Sequence, residues 1–400
     1  MRCSSWISSA TPCRANSLKA FTVVCTPATV LGTLRRFIPE LLKTAPALSP
    51  QQYRAIWAIT RCRTVALGGR VFACKSCGHR HLAYHSCNHK ACPQCGAQAA
   101  HRWVQRELAK LINAPYFLVT FTLPAQLRGC FFGPRAKQAY ELFFAAAAEA
   151  LSQKLATDKG LRAHVSGFVA LLHTWNQKLE FHPHLHCVVP GAGLNQDNQF
   201  VRVKKPQFLV YLPNLQAAFR QQLYRLLKQN NWPVDPQVWR KDWGVHIQPA
   251  GSGVSALKYL GRYVTRTAIT NARLLRIDQE SVTFRWKDRS DHNRSKELTL
   301  PGVEFVRRYL RHVLPRGLRS VRFYGFCHPT AKAKRMRVQL HSGRPVQFGA
   351  PDLLSTPAPV DNCPPCPKCG QPSQLVLCIS LRARGPPIVY RPMLSTPIAA

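Results

Sequence analysis

Two tight thiol pairs, Cys74-x-x-Cys77 and Cys92-Pro-Gln-Cys95, are separated by 14 residues, and a glycine (Gly78, Gly96) follows each. A C-x2-C-x14-C-x2-C spacing can gather four thiolates around one tetrahedral ion, and zinc is the ion such a set selects. The glycines fall where a chain folding back round a metal must turn sharply. The pattern predicts a small module stapled by structural zinc through Cys74, Cys77, Cys92 and Cys95. Four protein ligands would leave that ion no open position. His85, Cys87 and His89 lie between the pairs and could replace one ligand. A further group, Cys363-x-x-Cys366-Pro-Lys-Cys369, offers half of a second zinc ribbon, with Cys378 as another candidate. Sixteen cysteines could instead form disulfides. In 400 residues with paired spacing, reduced thiols and metal are favoured.

The charge balance narrows the partner. Fifty-six Lys and Arg face 17 Asp and Glu, a formal +39. A surface so basic repels itself unless a polyanion is near, which points to nucleic acid. Apolar residues make up 46%, enough for real cores. Acids are scarce, nine Asp and eight Glu with no suggestive grouping, which argues against a carboxylate-triad nuclease. The longest apolar stretch, residues 142–151, is broken by Glu149 and too short to span a bilayer. The first residues lack a continuous apolar segment of the signal-peptide kind. These features predict a cytoplasmic, DNA-associated protein with no membrane partner.

Periodicity divides the chain into four parts. Residues 1–30 are poorly defined. Residues 31–112 form a helical and zinc-binding DNA-binding module that ends in a basic helix over 98–112. Residues 113–330 form an α+β domain, and residues 331–400 a Pro-rich tail with the partial ribbon. Within the α+β part, strands are predicted at 116–123, 167–175, 184–189, 282–286 and 321–326, and helices at 135–157, 215–228, 254–268 and 303–313. The short Asn176-Gln177-Lys178 connection predicts a hairpin of the second and third strands.

That hairpin would carry chemistry. In Phe181-His182-Pro183-His184-Leu185-His186, strand alternation puts His184 and His186 on one face and Leu185 on the other. The two imidazoles would be about 7 Å apart along the strand, able to converge on one divalent ion. His173, on the preceding strand, would complete a three-histidine face if the hairpin sets it opposite residue 184. Glu180, His182 and a residue of the 254–268 helix are rival third ligands. Such a site leaves positions open for a phosphate, whose oxygens the metal would polarise as a Lewis acid.

The 254–268 helix contains Lys258-Tyr259-Leu260-Gly261-Arg262-Tyr263-Val264-Thr265-Arg266. Tyr259 and Tyr263 are i and i+4 and share a face. Lys258, Arg262 and Arg266 form an adjacent basic stripe suited to nucleic-acid phosphates. A phenol has a pKa near 10 and needs a nearby cation to attack phosphorus at neutral pH. Gly261 costs the helix roughly 1 kcal/mol against alanine, a cost that either lets DNA approach closely or carries no functional meaning.

Together these motifs resemble the two-tyrosine HUH transposases of rolling-circle insertion sequences. The Cys₄ module, Tyr-Phe-Leu-Val-Thr-Phe-Thr-Leu-Pro, Leu-His-Thr-Trp-Asn-Gln, His-Pro-His-Leu-His-Cys-Val-Val-Pro-Gly and Tyr-Leu-Gly-Arg-Tyr-Val agree in order over residues 35–330. The resemblance implies an HUH-endonuclease-like antiparallel sheet flanked by helices. It also implies magnesium or manganese on His184 and His186, with Tyr259 and Tyr263 as nucleophiles. One tyrosine would become linked to a 5′-phosphate of single-stranded DNA. Hairpin DNA at the element ends and target DNA would be the partners, in a bacterial cell. A replication initiator or relaxase would use the same chemistry, but no P-loop motif occurs. A zinc-dependent DNA-binding regulator would keep the thiols and charge without needing His184, His186 and Tyr259 together.

Overall fold

A computed structural model describes residues 29–44, 47–95, 97–240, 243–264, 268–288, 290–343, 363–380 and 388–390. The segment 1–28, Arg266 and much of the Pro-rich tail lie outside the described residues.

Two helices open the chain, α1 (Val30–Lys43) and α2 (Pro50–Arg61). Each start is written locally. The Thr29 hydroxyl accepts the Gly32 N–H, and Ser49 and Gln52 form a reciprocal capping box with Pro50 in the first turn. A hairpin, β1 (Gly68–Cys74) and β2 (Arg80–Tyr84), and helix α3 (Ala97–Leu108) follow. The next elements are β3 (Tyr116–Thr122), α4 (Ala136–Thr157), β4 (Gly167–Trp175) and β5 (Phe181–Pro190). A small ribbon, β6 (Ala192–Leu194) with β7 (Phe200–Arg202), precedes α5 (Leu212–Gln229), β8 (Val245–Pro249) and α6 (Val254–Val264). Then come β9 (Leu274–Ile277), β10 (Ser281–Asp288), β11 (Arg294–Pro301), α7 (Gly302–Leu310), β12 (Val321–Gly325) and α8 (Lys332–His341). Strands β13 (Ser373–Ser380) and β14 (Ile388–Tyr390) complete the described chain.

The central sheet is antiparallel throughout, in the order β12-β4-β5-β3-β8. Alternation divides its faces. Phe117, Val119, Phe121, Leu185, Cys187, Val189, Phe168, Ala170 and Leu172 point into one buried cluster with α4 and α5. On the opposite face, Tyr116, Val169, Leu171 and Val188 lie under α3 and α6. The far end of that second face is polar, with Thr120, Thr122 and the histidines, and stays open. The fold is thus α+β, an antiparallel sheet flanked by helices and preceded by a Cys-rich region.

A second sheet, β11-β10-β9, packs with α7 against α1 and α2. The two strands expected to flank the 303–313 helix therefore separate. β10 joins this sheet, whereas β12 crosses to the edge of the central one. Gly302 marks the α1–α7 contact, because a Cβ there would lie 2.2 Å from Phe37 Cδ1. The tail contributes to a third sheet, β14-β13-β1-β2, in which β13 pairs antiparallel with β1. No helix among the described residues is long and apolar enough to cross a membrane.

Candidate active site

The β4–β5 register sets His173 directly opposite His184, and His186 opposite Leu171. The ring centroids of His173, His184 and His186 are 4.6–5.2 Å apart, and one ligand atom from each lies within 4.8 Å of the others. Leu185, between the last two, is fully buried on the other face. Two hydrogen bonds orient these rings. His184 Nδ1–H donates to the His182 carbonyl at 2.7 Å, and His186 Nδ1 shares a hydrogen bond with Thr120 Oγ1 at 3.0 Å. The first makes Nε2 the ligating nitrogen of His184. Burial, then the neighbouring His186 and His184, push the His173 pKa well below the usual histidine range, so its imidazole is neutral. Three imidazoles converging on one point form a donor set that fits a divalent ion.

Of the rival ligands, His182 Nδ1 accepts from Arg128 at 2.9 Å, and Glu180 accepts from the Asn176 amide at 2.6 Å. Neither belongs to the cluster.

The hairpin turn that sets this register is clamped from the turn preceding β9, from α7 and from the residues just after α7. Asn176 Oδ1 accepts the N–H groups of Lys178 and Glu180, and buried Leu179 adopts φ 61°. Three consecutive carbonyls then accept from outside the hairpin: Gln177 from Arg273, Lys178 from Arg308 at 3.1 Å, and Leu179 from His312 Nε2–H at 3.2 Å.

The histidines form part of an open cavity of about 910 Å³. Trp175, Lys178, Arg273, Trp286 and Lys287 also line it, and Glu180 is the one acid among its described lining residues. Lys178 Nζ lies 4.2 Å from the Trp286 ring centroid. A basic groove with aromatic faces is the usual platform for single-stranded nucleic acid.

Ser255 and Ala256 of α6 line the same cavity. Tyr259 and Tyr263 follow Ser255 by one and two turns on that helix. The side chains of Tyr259, Arg262 and Tyr263 lie outside those described, and Lys258 is exposed. Gly261 has a role other than the one expected from sequence. A Cβ there would lie 1.9 Å from Val104 Cγ2, so the glycine admits α3 rather than DNA.

Residues 167–335 match a family described as "Putative transposase", and residues 33–123 match a "Transposase zinc-binding domain". A protein named "Putative transposase y4qJ", from Sinorhizobium fredii, is 39% identical over 318 residues, covering 74% of this chain and 79% of that protein. The transposase for insertion sequence element IS801 of Pseudomonas savastanoi pv. phaseolicola is 26% identical over 330 residues, covering 72% and 79%. The chain belongs to the IS91 family of transposases. A solved structure of TrwC complexed with a 27-mer DNA aligns at TM-score 0.25 and 12% identity, over 37% of this chain and 55% of that one.

The zinc-binding region of this IS91-family transposase is wired differently from the sequence expectation. Cys74, Cys77, Cys92 and Cys95 do not meet. Cys92 and Cys95 cluster with Cys62 and Cys87, whereas Cys74 and Cys77 cluster with Cys366 and Cys369. In the first cluster, Cys62 and Cys87 Sγ lie 3.6 and 3.7 Å from Cys95 Sγ. The reason lies in tertiary packing. Cys62 caps the end of α2, whose apolar face shares a buried cluster with Cys92 and α7, and the Tyr309 hydroxyl of α7 donates to the Ala91 carbonyl at 2.6 Å. His89 accepts the Ala91 N–H instead of serving as a ligand. Cys378 is in neither cluster and lies 3.8 Å from His85 Nε2.

Sequence reasoning missed Cys62, Thr120, Arg128, Trp175 and Trp286. Thr120 had a legible signal, a polar residue alternating with Phe and Val on a strand. Cys62 had none, because it is a lone thiol 12 residues before the first pair.

Proposed function

We propose that this transposase nicks and rejoins single-stranded DNA through a tyrosine-linked 5′-phosphate, in rolling-circle transposition of an insertion sequence. The observation that carries this reading is the three-histidine cluster in a basic, tryptophan-flanked cavity, partly walled by the helix of Tyr259 and Tyr263. The donor set is entirely nitrogen, which favours Mn²⁺ over Mg²⁺, a harder ion that prefers oxygen ligands. When bound, the ion supplies Lewis-acid charge to the phosphoryl oxygens.

The chain's own groups do the rest. His173, His184 and His186 hold the ion, with Thr120 and the His182 carbonyl orienting two of the rings. Trp175 and Trp286 offer stacking faces for unpaired bases, and Lys178, Arg273 and Lys287 attract the strand backbone. The phenol oxygen of Tyr259 or Tyr263 bonds to phosphorus as the P–O3′ bond breaks. The phenol loses its proton to solvent, and the departing 3′ oxygen gains one. Phosphoryl energy is kept in the ester, so the reverse attack by a 3′-hydroxyl rejoins DNA without ATP. Lys258, which is exposed, and Arg262 and Arg266 farther along the sequence add positive charge that suits the strand backbone. Hairpin DNA at the element ends and target DNA are the substrates, and the cytoplasm is where they meet the protein.

The test is a denaturing gel of labelled single strands incubated with protein and Mn²⁺ or Mg²⁺. A band shifted by the protein's mass is expected, absent with EDTA and with His184→Ala. Loss of the band in Tyr259→Phe or Tyr263→Phe identifies the first nucleophile. Tight DNA binding with no adduct under any metal would overturn the catalytic reading in favour of a zinc-dependent regulator.

A further inference from the structure

Cys366 and Cys369 lie beyond both matched family ranges, 33–123 and 167–335, yet their thiols meet those of Cys74 and Cys77. All four Sγ atoms are within 4.8 Å of one another. Cys74 to Cys369 is 3.5 Å and Cys77 to Cys366 is 3.7 Å. Sulfurs about 2.3 Å from a tetrahedral zinc stand about 3.8 Å apart. A disulfide would bring them to about 2.05 Å.

The backbone around the two pairs matches closely. Gly78 N–H donates to the Cys74 carbonyl at 3.0 Å, and Gly370 N–H to the Cys366 carbonyl at 2.8 Å. Cys74 N–H donates to the His79 carbonyl at 2.9 Å, and Cys366 N–H to that of Gln371 at 2.8 Å. Gly78 and Gly370 take φ of 68° and 74°, a region that side chains disfavour. The first thiol of each pair faces backbone N–H groups two and three residues on, those of Ser76 and Cys77 or of Lys368 and Cys369. β13 runs antiparallel to β1 from Gly68↔Ser380 to Cys74↔Ser373, which brings the two pairs to the same end of the sheet. Burial does not explain the convergence, because Cys77 and Cys369 are exposed.

We propose that Cys74, Cys77, Cys366 and Cys369 form a second four-thiolate zinc site, a ribbon assembled from two distant parts of the chain. It fastens residues 363–380 to the β1–β2 hairpin and is independent of the Cys62, Cys87, Cys92 and Cys95 cluster. The segment after the transposase-matched region is then part of the folded zinc module rather than a dispensable tail.

Cobalt substitution of the full-length chain tests this, because the sulfur-to-cobalt charge-transfer band reports thiolate ligation and ignores the histidine cluster. The parent should bind two such equivalents. Cys366→Ser with Cys369→Ser should bind one, and so should Cys62→Ser with Cys87→Ser. A parent saturating at one equivalent, or a Cys366/Cys369 variant keeping two, would overturn the proposal. Should a variant fail to fold, alkylation of the unmutated zinc-loaded chain decides the matter. Exposed Cys77 and Cys369 should resist iodoacetamide until a chelator is added, then react together with Cys74 and Cys366. Reaction of Cys366 and Cys369 at the free-thiol rate before chelation would overturn the site. A mass lowered by disulfide hydrogens, insensitive to chelator, would do the same.

Discussion

His173 and His184 face each other across the β4–β5 hairpin, ring planes at 87° and centroids 5.2 Å apart. Their opposition depends on register, and a slip of one residue would send one imidazole to the apolar face. The turn is held against such slippage by Arg273, Arg308 and His312, none of which belongs to the central sheet. The turn before β9 and the C-terminal end of α7 thus bear on the active-site geometry without contributing a ligand to the histidine cluster.

Thr120→Val should weaken metal binding while keeping the fold. It removes the hydroxyl that hydrogen-bonds His186 Nδ1 on a buried ring. Loss of such a partner typically lowers metal affinity about 10–100-fold. Mn²⁺ titration followed by electron paramagnetic resonance would measure it, and unchanged affinity would count against Thr120 as the group that orients His186.

Gly261→Ala pits propensity against packing. Alanine favours the helix by about 1 kcal/mol. Its Cβ, however, would sit 1.9 Å from Val104 Cγ2, and overpacking of this kind costs about 1–3 kcal/mol. Thermal denaturation should show a lower midpoint for the single variant. Adding Val104→Ala should recover part of the loss, and a single variant more stable than the parent would refute the close α3–α6 contact.

His312 makes stability fall with acid. Burial lowers its pKa from the ordinary 6.5 to about 4, against the Leu179 carbonyl, which raises it. Its ring accepts from the Thr174 hydroxyl at Nδ1 and donates from Nε2 to Leu179. Between pH 4 and 6.5 the unfolded chain binds the extra proton, so unfolding gains there as pH falls. Denaturant midpoints should be unaffected by this group above pH 6.5 and decline below it. In His312→Gln that decline should be shallower, and an equally steep one would remove His312 as the cause.

Trp286→Ala should weaken single-strand binding by about 1–3 kcal/mol with little change in salt dependence, as expected for a stacking face. Lys287→Ala should weaken binding less and flatten the slope of affinity against salt. Fluorescence anisotropy with labelled single strands at several salt concentrations separates the two. Matching slopes would place Lys287 away from the backbone.

Much of the active site was legible because its rules are local. Alternation in His184-Leu185-His186 requires a shared face for the histidines, and the short link after Trp175 predicts the hairpin that meets His173. Ser49-Pro50-Gln51-Gln52 announces the start of α2 for the same reason, since a capping box closes within four residues. The role of Gly261 stayed open in the sequence because propensity describes a helix alone and is silent about a neighbour such as Val104.

The thiols mark the boundary between the two kinds of information. A C-x-x-C pair with a following glycine determines its own hairpin, because every contact it needs lies within about five residues. Four ligands require two such pieces, and sequence spacing suggested the nearer partner for Cys74 and Cys77. Pairing of β1 with β13 brought them instead to Cys366 and Cys369, 289 residues or more along the chain. Packing of α2 against α7 left Cys92 and Cys95 with Cys62 and Cys87. Strand pairing and helix burial act over the whole chain, so only the tertiary structure decides which thiols meet.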